Sequence, residues 1–266
     1  MDLGPLRAAI AAASPSSADE MVEAVLALVR PAVELAVVDY GVEDEDDASD
    51  GDAYDGDEDD GDDSEDDGGD GLLVGDYGGL PLGTDWPVFQ GAPLVLVARL
   101  RCEVLAELLG AQWSLPADGS LLFFNDDWHR QGDGACRVLH VPDGAQAIEV
   151  PDGAQVIPAL PLGAWRRLSV PELAAAELDE WSSKDVLALM DVLEAARSAV
   201  PYAPHQVLGW LGDGYYPDAA GCRPLLQLEG EQGTSWGECV RIAFVVPEED
   251  LAAGRLDRVR VVYETA

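Results

Sequence analysis

At 266 residues and 48% hydrophobic content, the chain is long enough to form one large domain or two small ones around a substantial core. Its net charge of -37 argues against binding to nucleic acid or to an anionic membrane, because both need Lys and Arg to meet phosphate groups. Such a charge would attract a basic protein, a polycation or metal cations.

The four cysteines are widely spaced and include no C-x-x-C pair, which argues against a zinc ribbon and leaves the disulfide state open. The apolar run near the N-terminus is too short and too weak for a signal peptide. No run approaches the roughly 18–20 apolar residues that span a bilayer. We therefore expect a soluble cytoplasmic protein with reduced cysteines.

Residues 17–38 are predicted to form the first helix. Ser17 and Glu20 fit a capping box, in which each side chain accepts a hydrogen bond from the other residue's free backbone N–H. Apolar residues follow at helical spacing, and Pro31 is a potential kink. This apolar stripe would pack on the main domain, and a helix that faces a partner is the alternative.

An acidic block follows, in which 18 of residues 43–70 are Asp or Glu and none is Lys or Arg. An EF-hand loop needs Gly at its sixth position and Glu at its twelfth, but the best register places Asp60 and Asp66 there. So many like charges with almost no apolar residues predict a disordered, solvated insertion that binds divalent cations weakly at most. An interaction tether is the alternative. We expect no cofactor and no specific metal site.

From residue 72 onward, short apolar runs broken by Gly and Pro predict strands joined by a few helices. Two copies of the sequence VPDGAQ, each with an Asp-Gly turn signal, predict a small duplicated hairpin at residues 141–146 and 150–155. Without a regular βαβ alternation, the pattern predicts an α+β, mainly-β fold with an antiparallel sheet. The predicted strands are residues 93–100, 120–126, 136–141, 223–230, 238–246 and 258–265, and the helices are residues 102–110, 170–199 in two parts and 247–254.

Few residues suggest catalysis. His129 follows Asp126 and Asp127 and could bind a metal or move a proton, although such clusters are usually turns, and His140 lies in an alternating strand. His205 begins the segment HQVLGW, which could bind a ligand or hold a loop in place. The chain contains no G-x-S-x-G nucleophile elbow and no phosphate-binding glycine motif, and no cysteine has neighbours that would lower its pKa.

Six segments in order resemble the bacterial YwqG-like family, which is catalogued as a domain of unknown function, number 1963. The resemblance implies a roll of antiparallel strands with a few helices. Members of the family have no agreed enzymatic activity, so the resemblance assigns no catalysis to this chain. The chain departs from the family at Gly75, Asp76 and Arg99. The matching segments are YGGLPLGTDWP (77–87), PLVLVARL (93–100), LPADGSLLFFND (115–126), HQVLGW (205–210), LLQLEGE (225–231) and the stretch from SWGE to the last strand (235–265).

Together these observations divide the chain into an N-terminal helical segment (1–42), a disordered acidic insertion (43–71) and a YwqG-like domain (72–266). The first functional hypothesis is a non-enzymatic binding or regulatory protein that contacts another protein, for example an immunity protein that masks a basic partner. The alternative is a hydrolase or transferase that uses His205 in a cleft beside a carboxylate or thiol.

Aromatic side chains in turns beside Gly and Pro suit recognition, although they could equally fill the core beneath those turns. The candidate binding residues are Gly78, Gly79, Pro81, Trp86, His205, Gln206, Gly209, Trp210 and Trp236.

Overall fold

The fold is described from a computed structural model of the chain. The structure describes residues 2–15, 18–38, 71–83, 85–126, 134–172, 183–212, 219, 221–230 and 239–265.

Five α-helices and twelve strands are present within this described part of the chain. The helices are α1 (Gly4–Ala13), α2 (Asp19–Leu28), α3 (Cys102–Leu109), α4 (Ser183–Ser198) and α5 (Glu248–Ala252). The strands are β1 (Arg30–Val37), β2 (Leu72–Tyr77), β3 (Val88–Phe89), β4 (Ala92–Pro93), β5 (Val95–Arg101), β6 (Ser120–Asn125), β7 (Cys136–Val141), β8 (Leu160–Ser169), β9 (His205–Leu208), β10 (Cys222–Glu229), β11 (Cys239–Pro247) and β12 (Arg260–Thr265).

Ten strands form one antiparallel sheet in the order β12-β11-β10-β9-β1-β8-β2-β5-β6-β7, while β3 and β4 form a separate hairpin. The large sheet curls until its two edges approach each other, so that it is nearly closed. The hydroxyl of Tyr263 on β12 donates a hydrogen bond of 2.9 Å to Oδ1 of Asn125 on β6. The mainly-β, antiparallel fold expected from the sequence is therefore confirmed.

Apolar clusters lie on both faces of this sheet. Alternate residues of the strands point inward and pack against strands from across the sheet, as Phe123 of β6 and Phe244 of β11 do with ring centroids 5.2 Å apart. On the outside, α1, α2 and α4 pack together and against Leu168 and Val170 at the end of β8. The helices therefore cover one part of the outer face, and smaller apolar clusters that include Phe124 and Val245 lie elsewhere on it.

The helix predicted over residues 17–38 is wrong in its second half. Helix α2 ends at Leu28, and residues 30–37 form β1, which pairs with β8 on one side and β9 on the other. Pro31 disfavours the helical conformation at Arg30, and a strand pairs where the helix cannot continue. Val33 and Leu35 are buried on the inward face, and this alternation is also compatible with a helical stripe over so few residues.

The two VPDGAQ copies form turns but not the predicted hairpin. Gly144 and Gly153 adopt positive φ angles of 78° and 80°, as Asp-Gly turns require. The first copy is instead bound to the turn after β2, because Gly83 donates to the carbonyl of Gln146 over 2.6 Å. Apart from Val141, which ends β7, both copies lie in the long connection between β7 and β8.

The other predicted strands and the helices at 102–110 and 247–254 are confirmed, with shifts of a few residues at their ends. Strands β2, β3, β4, β8 and β9 were not predicted. The acidic insertion and the first part of the predicted helical region over 170–199 lie outside the described residues. Every helix in the described ranges is too short or too polar to cross a membrane.

Candidate functional site

Four of the candidate residues surround the turn that follows β2. Gly78 and Gly79 have positive φ angles of 70° and 86°, and their N–H groups donate to the carbonyls of Val97 and Ile157 over 2.9 Å each. A Cβ at position 78 would lie 2.7 Å from the side chain of Ile157, so the turn packs too closely for a larger residue. These glycines let the chain leave β2 against its neighbours.

Trp86 and Pro81 complete this turn region. The indole N–H of Trp86 donates a 2.7 Å hydrogen bond to the carbonyl of Leu94, and its ring meets Phe124 edge to face at 6.5 Å. Pro81 is buried, and its carbonyl accepts a hydrogen bond from the N–H of Ile148. The described contacts of these residues hold loops onto the sheet.

His205 and Gln206 are neighbours on β9 and therefore point to opposite faces of the sheet. His205 faces inward and is 1% exposed, and its Nδ1 accepts a 3.1 Å hydrogen bond from the N–H of Glu229. Gln206 faces outward and lines a pocket, whereas His205 does not. The cleft location that the hydrolase hypothesis requires of His205 thus finds no support in this pocket.

The turn after β9 is held by a set of specific contacts around Trp210. Its backbone N–H donates to Oγ of Ser169 over 2.9 Å, its carbonyl accepts from Nε2 of Gln206 over 2.8 Å, and its indole N–H donates to the carbonyl of Leu28 over 2.8 Å. Gly209 has φ of 76°, and a Cβ there would lie 2.7 Å from Ser169. The segment HQVLGW therefore fixes the indole of Trp210 between the sheet and the end of α2.

The pocket beside this turn has a volume of about 100 Å³. Its floor is the outer face of β8, β9 and β10, and its rim includes the loop after α4, with Pro201 and Tyr202. Of the predicted binding residues, Gln206 and Trp210 line it, and Gly209 shapes the turn that holds Trp210. The other polar residues that line it include Arg167, Ser169, Tyr202 and Gln227.

Gln206 presents an open acceptor to this pocket. Its Nε2 donates to the carbonyls of Leu208 and Trp210, and carbonyls can only accept, so the amide nitrogen must occupy that position. Its Oε1 accepts no hydrogen bond within the described residues. This oxygen is also not fully buried. Gln206 is 5% exposed, so this oxygen is held rigidly and is reached through the pocket.

Sequence reasoning missed a polar network beside the pocket. Gln227 lies opposite Gln206 in the register of β10 and β9, and its amide contacts the backbone N–H of Gly212 and the hydroxyl of Tyr202. Tyr202 also donates to Glu229, which pairs with Arg241 at 2.6 Å. Polar residues at alternate positions of the apolar strands β10 and β11 are the signal that could have revealed it.

Burial also argues against nucleophilic chemistry at Cys102 and Cys136. It raises the pKa of Cys102 to about 12 and that of Cys136 to about 11, so both thiols are neutral near pH 7. Cys102, Cys136 and Cys222 are free. Trp236 and His129, singled out in the sequence, lie outside the described residues.

Comparison with known proteins adds one match. A family model described as "Domain of unknown function (DUF1963)" matches residues 74–264. No curated protein matches the chain.

Proposed function

Since the chain belongs to the DUF1963 family, whose description carries no activity, we propose that it is a non-enzymatic binding or regulatory protein. It recognises another protein through the pocket beside Trp210. The observation that carries this proposal is the open Oε1 of Gln206, which is fixed in place by the two hydrogen bonds of its own amide nitrogen.

A rigid acceptor favours recognition because its side-chain entropy is already lost before a partner arrives. A partner N–H that reaches this oxygen replaces one hydrogen bond to water with one to a fixed group. The Ser169 hydroxyl, which accepts the N–H of Trp210, lines the same pocket and offers a donor. The pocket thus offers both a donor and an acceptor to a hydrogen-bonding side chain of a partner.

The size of the pocket favours a side chain over a substrate. Sites for small molecules and cofactors typically enclose roughly 300–1,000 Å³. At about 100 Å³, this pocket holds one side chain of a partner whose remaining contacts lie on the surrounding surface.

Charge completes the proposal. The net charge of -37 would steer a basic partner toward the protein, and an immunity-like protein that masks such a partner is its most concrete form. We also propose that the chain is a bacterial, YwqG-like protein and that it acts in the cytoplasm.

A pair of substitutions at the rim tests this function. Pro201 and Pro204 are both exposed in the loop after α4, but only Pro201 is among the described residues that line the pocket. Pro201→Trp would fill the mouth of the pocket, and Pro204→Trp is the matched control. The full-length protein and both variants are used as bait in a lysate of the source organism at moderate salt. The captured partner is then purified and its affinity measured by calorimetry.

We expect the partner to bind the wild type and Pro204→Trp with similar affinity and Pro201→Trp at least about tenfold more weakly, a loss of about 1.4 kcal/mol. Equal binding of all three proteins would overturn the pocket as the recognition site. Recovery of basic proteins that are all lost when salt is raised would mean that the acidic charge binds nonspecifically.

A further inference from the structure

Two arginines lie on either side of the turn that carries Trp210. Strands β1 and β10 both run antiparallel to β9, so both begin at the end of the sheet where β9 finishes. Arg30 is the first residue of β1 and Arg223 the second residue of β10. The topology therefore brings two arginines from distant parts of the chain to one end of the sheet.

Arg30 stacks on the indole of Trp210, with its guanidinium carbon 3.4 Å from the ring centroid. Within the described part of the chain, this guanidinium makes no hydrogen bond and no ion pair. A stacked guanidinium keeps its N–H groups in the plane and directed outward, where they remain able to bind an acceptor. Its position is set by the ring, which the indole hydrogen bond to Leu28 and the two backbone hydrogen bonds of Trp210 hold in place.

Arg223 uses only one part of its guanidinium group. Its Nη1 contacts Oε1 of Glu248 over 3.0 Å, and the Arg223 side chain is 13% exposed while that of Glu248 is 66% exposed. Among the described residues, Nε of Arg223 is the one buried side-chain nitrogen or oxygen atom without a hydrogen-bond partner. Among the described residues, the edge formed by Nε and Nη2 has no partner, and such an edge can bind a carboxylate or phosphate in a bidentate manner.

The two positive charges act on each other. Burial, and next to it the charge of Arg223, lowers the pKa of Arg30 to about 10, and Glu248 offsets this in part. Of these two arginines, Arg223 has a buried Nε without an acceptor among the described residues, and such a donor is costly. An anion between them would supply the missing acceptors and relieve the repulsion.

We propose that Arg30 and Arg223 form a binding site for a single oxyanion group, a phosphate or a carboxylate, at the end of the sheet beside Trp210. The site is separate from the pocket that contains Gln206 and does not depend on the proposed function. Arg30 would contact one side of the oxyanion, and the edge of Arg223 formed by Nε and Nη2 would contact the other.

Calorimetric titration of the full-length protein with inorganic phosphate, and separately with acetate, tests the site at constant ionic strength in a chloride background. The variants are Arg30→Gln and Arg223→Gln. The control is Arg166→Gln, which removes the same charge from an exposed arginine on β8 for which no contact is described. We expect saturable binding of one anion, weakened at least about tenfold in both site variants and less than twofold in the control.

A second readout guards against a misfolded variant. In the wild-type protein labelled with ¹⁵N, the Nε–H resonance of Arg223 should shift as the anion binds. Saturation by phosphate alone assigns a phosphate site, and saturation by acetate assigns a carboxylate site. The proposal is overturned if neither anion gives saturable binding, or if the two site variants bind as well as the wild type.

Discussion

Tyr77 and His205 meet edge to face inside the sheet, with ring centroids 6.0 Å apart, although β1 and β8 separate β2 from β9 in the strand order. The contact therefore crosses the interior of the nearly closed sheet. The hydroxyl of Tyr77 continues in the same direction to the carbonyl of Glu229 on β10 at 3.4 Å. Tyr77 and His205 thus connect β2 with β9 across the interior, although these strands are not neighbours in the sheet.

Tyr77→Ala should lower the free energy of unfolding by about 3–5 kcal/mol, because it removes a fully buried ring and leaves a cavity. Tyr77→Phe keeps the ring and loses a long hydrogen bond, so its cost should be about 1 kcal/mol. Urea denaturation followed by circular dichroism measures both. An alanine variant as stable as the phenylalanine variant would mean that the ring does not brace the core.

Gly209→Ala should destabilise the protein more than Gly221→Ala. Both glycines have positive φ, 76° and 72°, so both variants incur the left-handed penalty of about 1–2 kcal/mol. At position 221 no described residue lies within 4 Å of the added carbon, whereas at position 209 it meets Ser169 and Ala32. We expect a further loss of about 1–3 kcal/mol at position 209, measured by urea denaturation. Equal losses would show that the turn can move away from β8.

Arg241→Gln should cost about 2–3 kcal/mol, since it leaves two carboxylates without their cation. The Arg241 side chain is 9% exposed and pairs with Glu229 at 2.6 Å and with Glu264 at 2.7 Å. The carboxylates are partly exposed, and solvent screening reduces the loss below that of a fully buried pair. Arg166→Gln serves as the control and should stay within about 0.5 kcal/mol of the wild type. The double variant R241Q/E229Q should recover part of the loss.

Cys102 and Cys136 should resist alkylation by iodoacetamide at pH 8, because the thiolate is the reactive form and burial raises the pKa of both thiols. The half-buried Cys222 should be modified before either of them, which mass spectrometry of labelled peptides can establish. Rapid labelling of Cys102 in the folded protein would contradict its burial.

The same raised pKa values predict how stability depends on pH. Both thiols stay protonated in the folded chain to higher pH than in the unfolded chain, where the pKa is near 9.0. The folded state therefore holds more protons above pH 9, and the free energy of unfolding should fall as pH rises from 9 towards 11. A variant with alanine at positions 102 and 136 should lose less over this range.

The local sequence pattern was enough to predict an element where the segment is apolar on both sides or ends with a clear stop signal. Strand β6 is buried along nearly its whole length, and α3 ends at Gly110, which takes a positive φ of 55°. The pattern failed for β1, because Val33 and Leu35 fit a helical stripe as well as a strand. Its pairing partners β8 and β9 lie more than a hundred residues away in the chain.

At Gly75, Asp76 and Arg99 the sequence departs from the family pattern that it resembles, and only the strand register explains these residues. Asp76 faces Arg99 across β2 and β5, and their side chains form an ion pair. A Cβ at position 75 would lie 1.9 Å from the carbonyl oxygen of Arg99, so the glycine lets the two strands approach. The three positions thus form one structural unit.

The sequence by itself determined the class of fold, six of the twelve described strands and the segment HQVLGW as a place of interest. Periodicity shows which side of a segment is apolar, and Gly and Pro show where it ends. The tertiary structure alone decided that His205 enters the core while Gln206 faces a pocket. It also decided that Arg30 and Arg223 meet at one end of the sheet. A strand is completed by hydrogen bonds to partners far along the chain, and those partners are selected by the packing of the whole sheet.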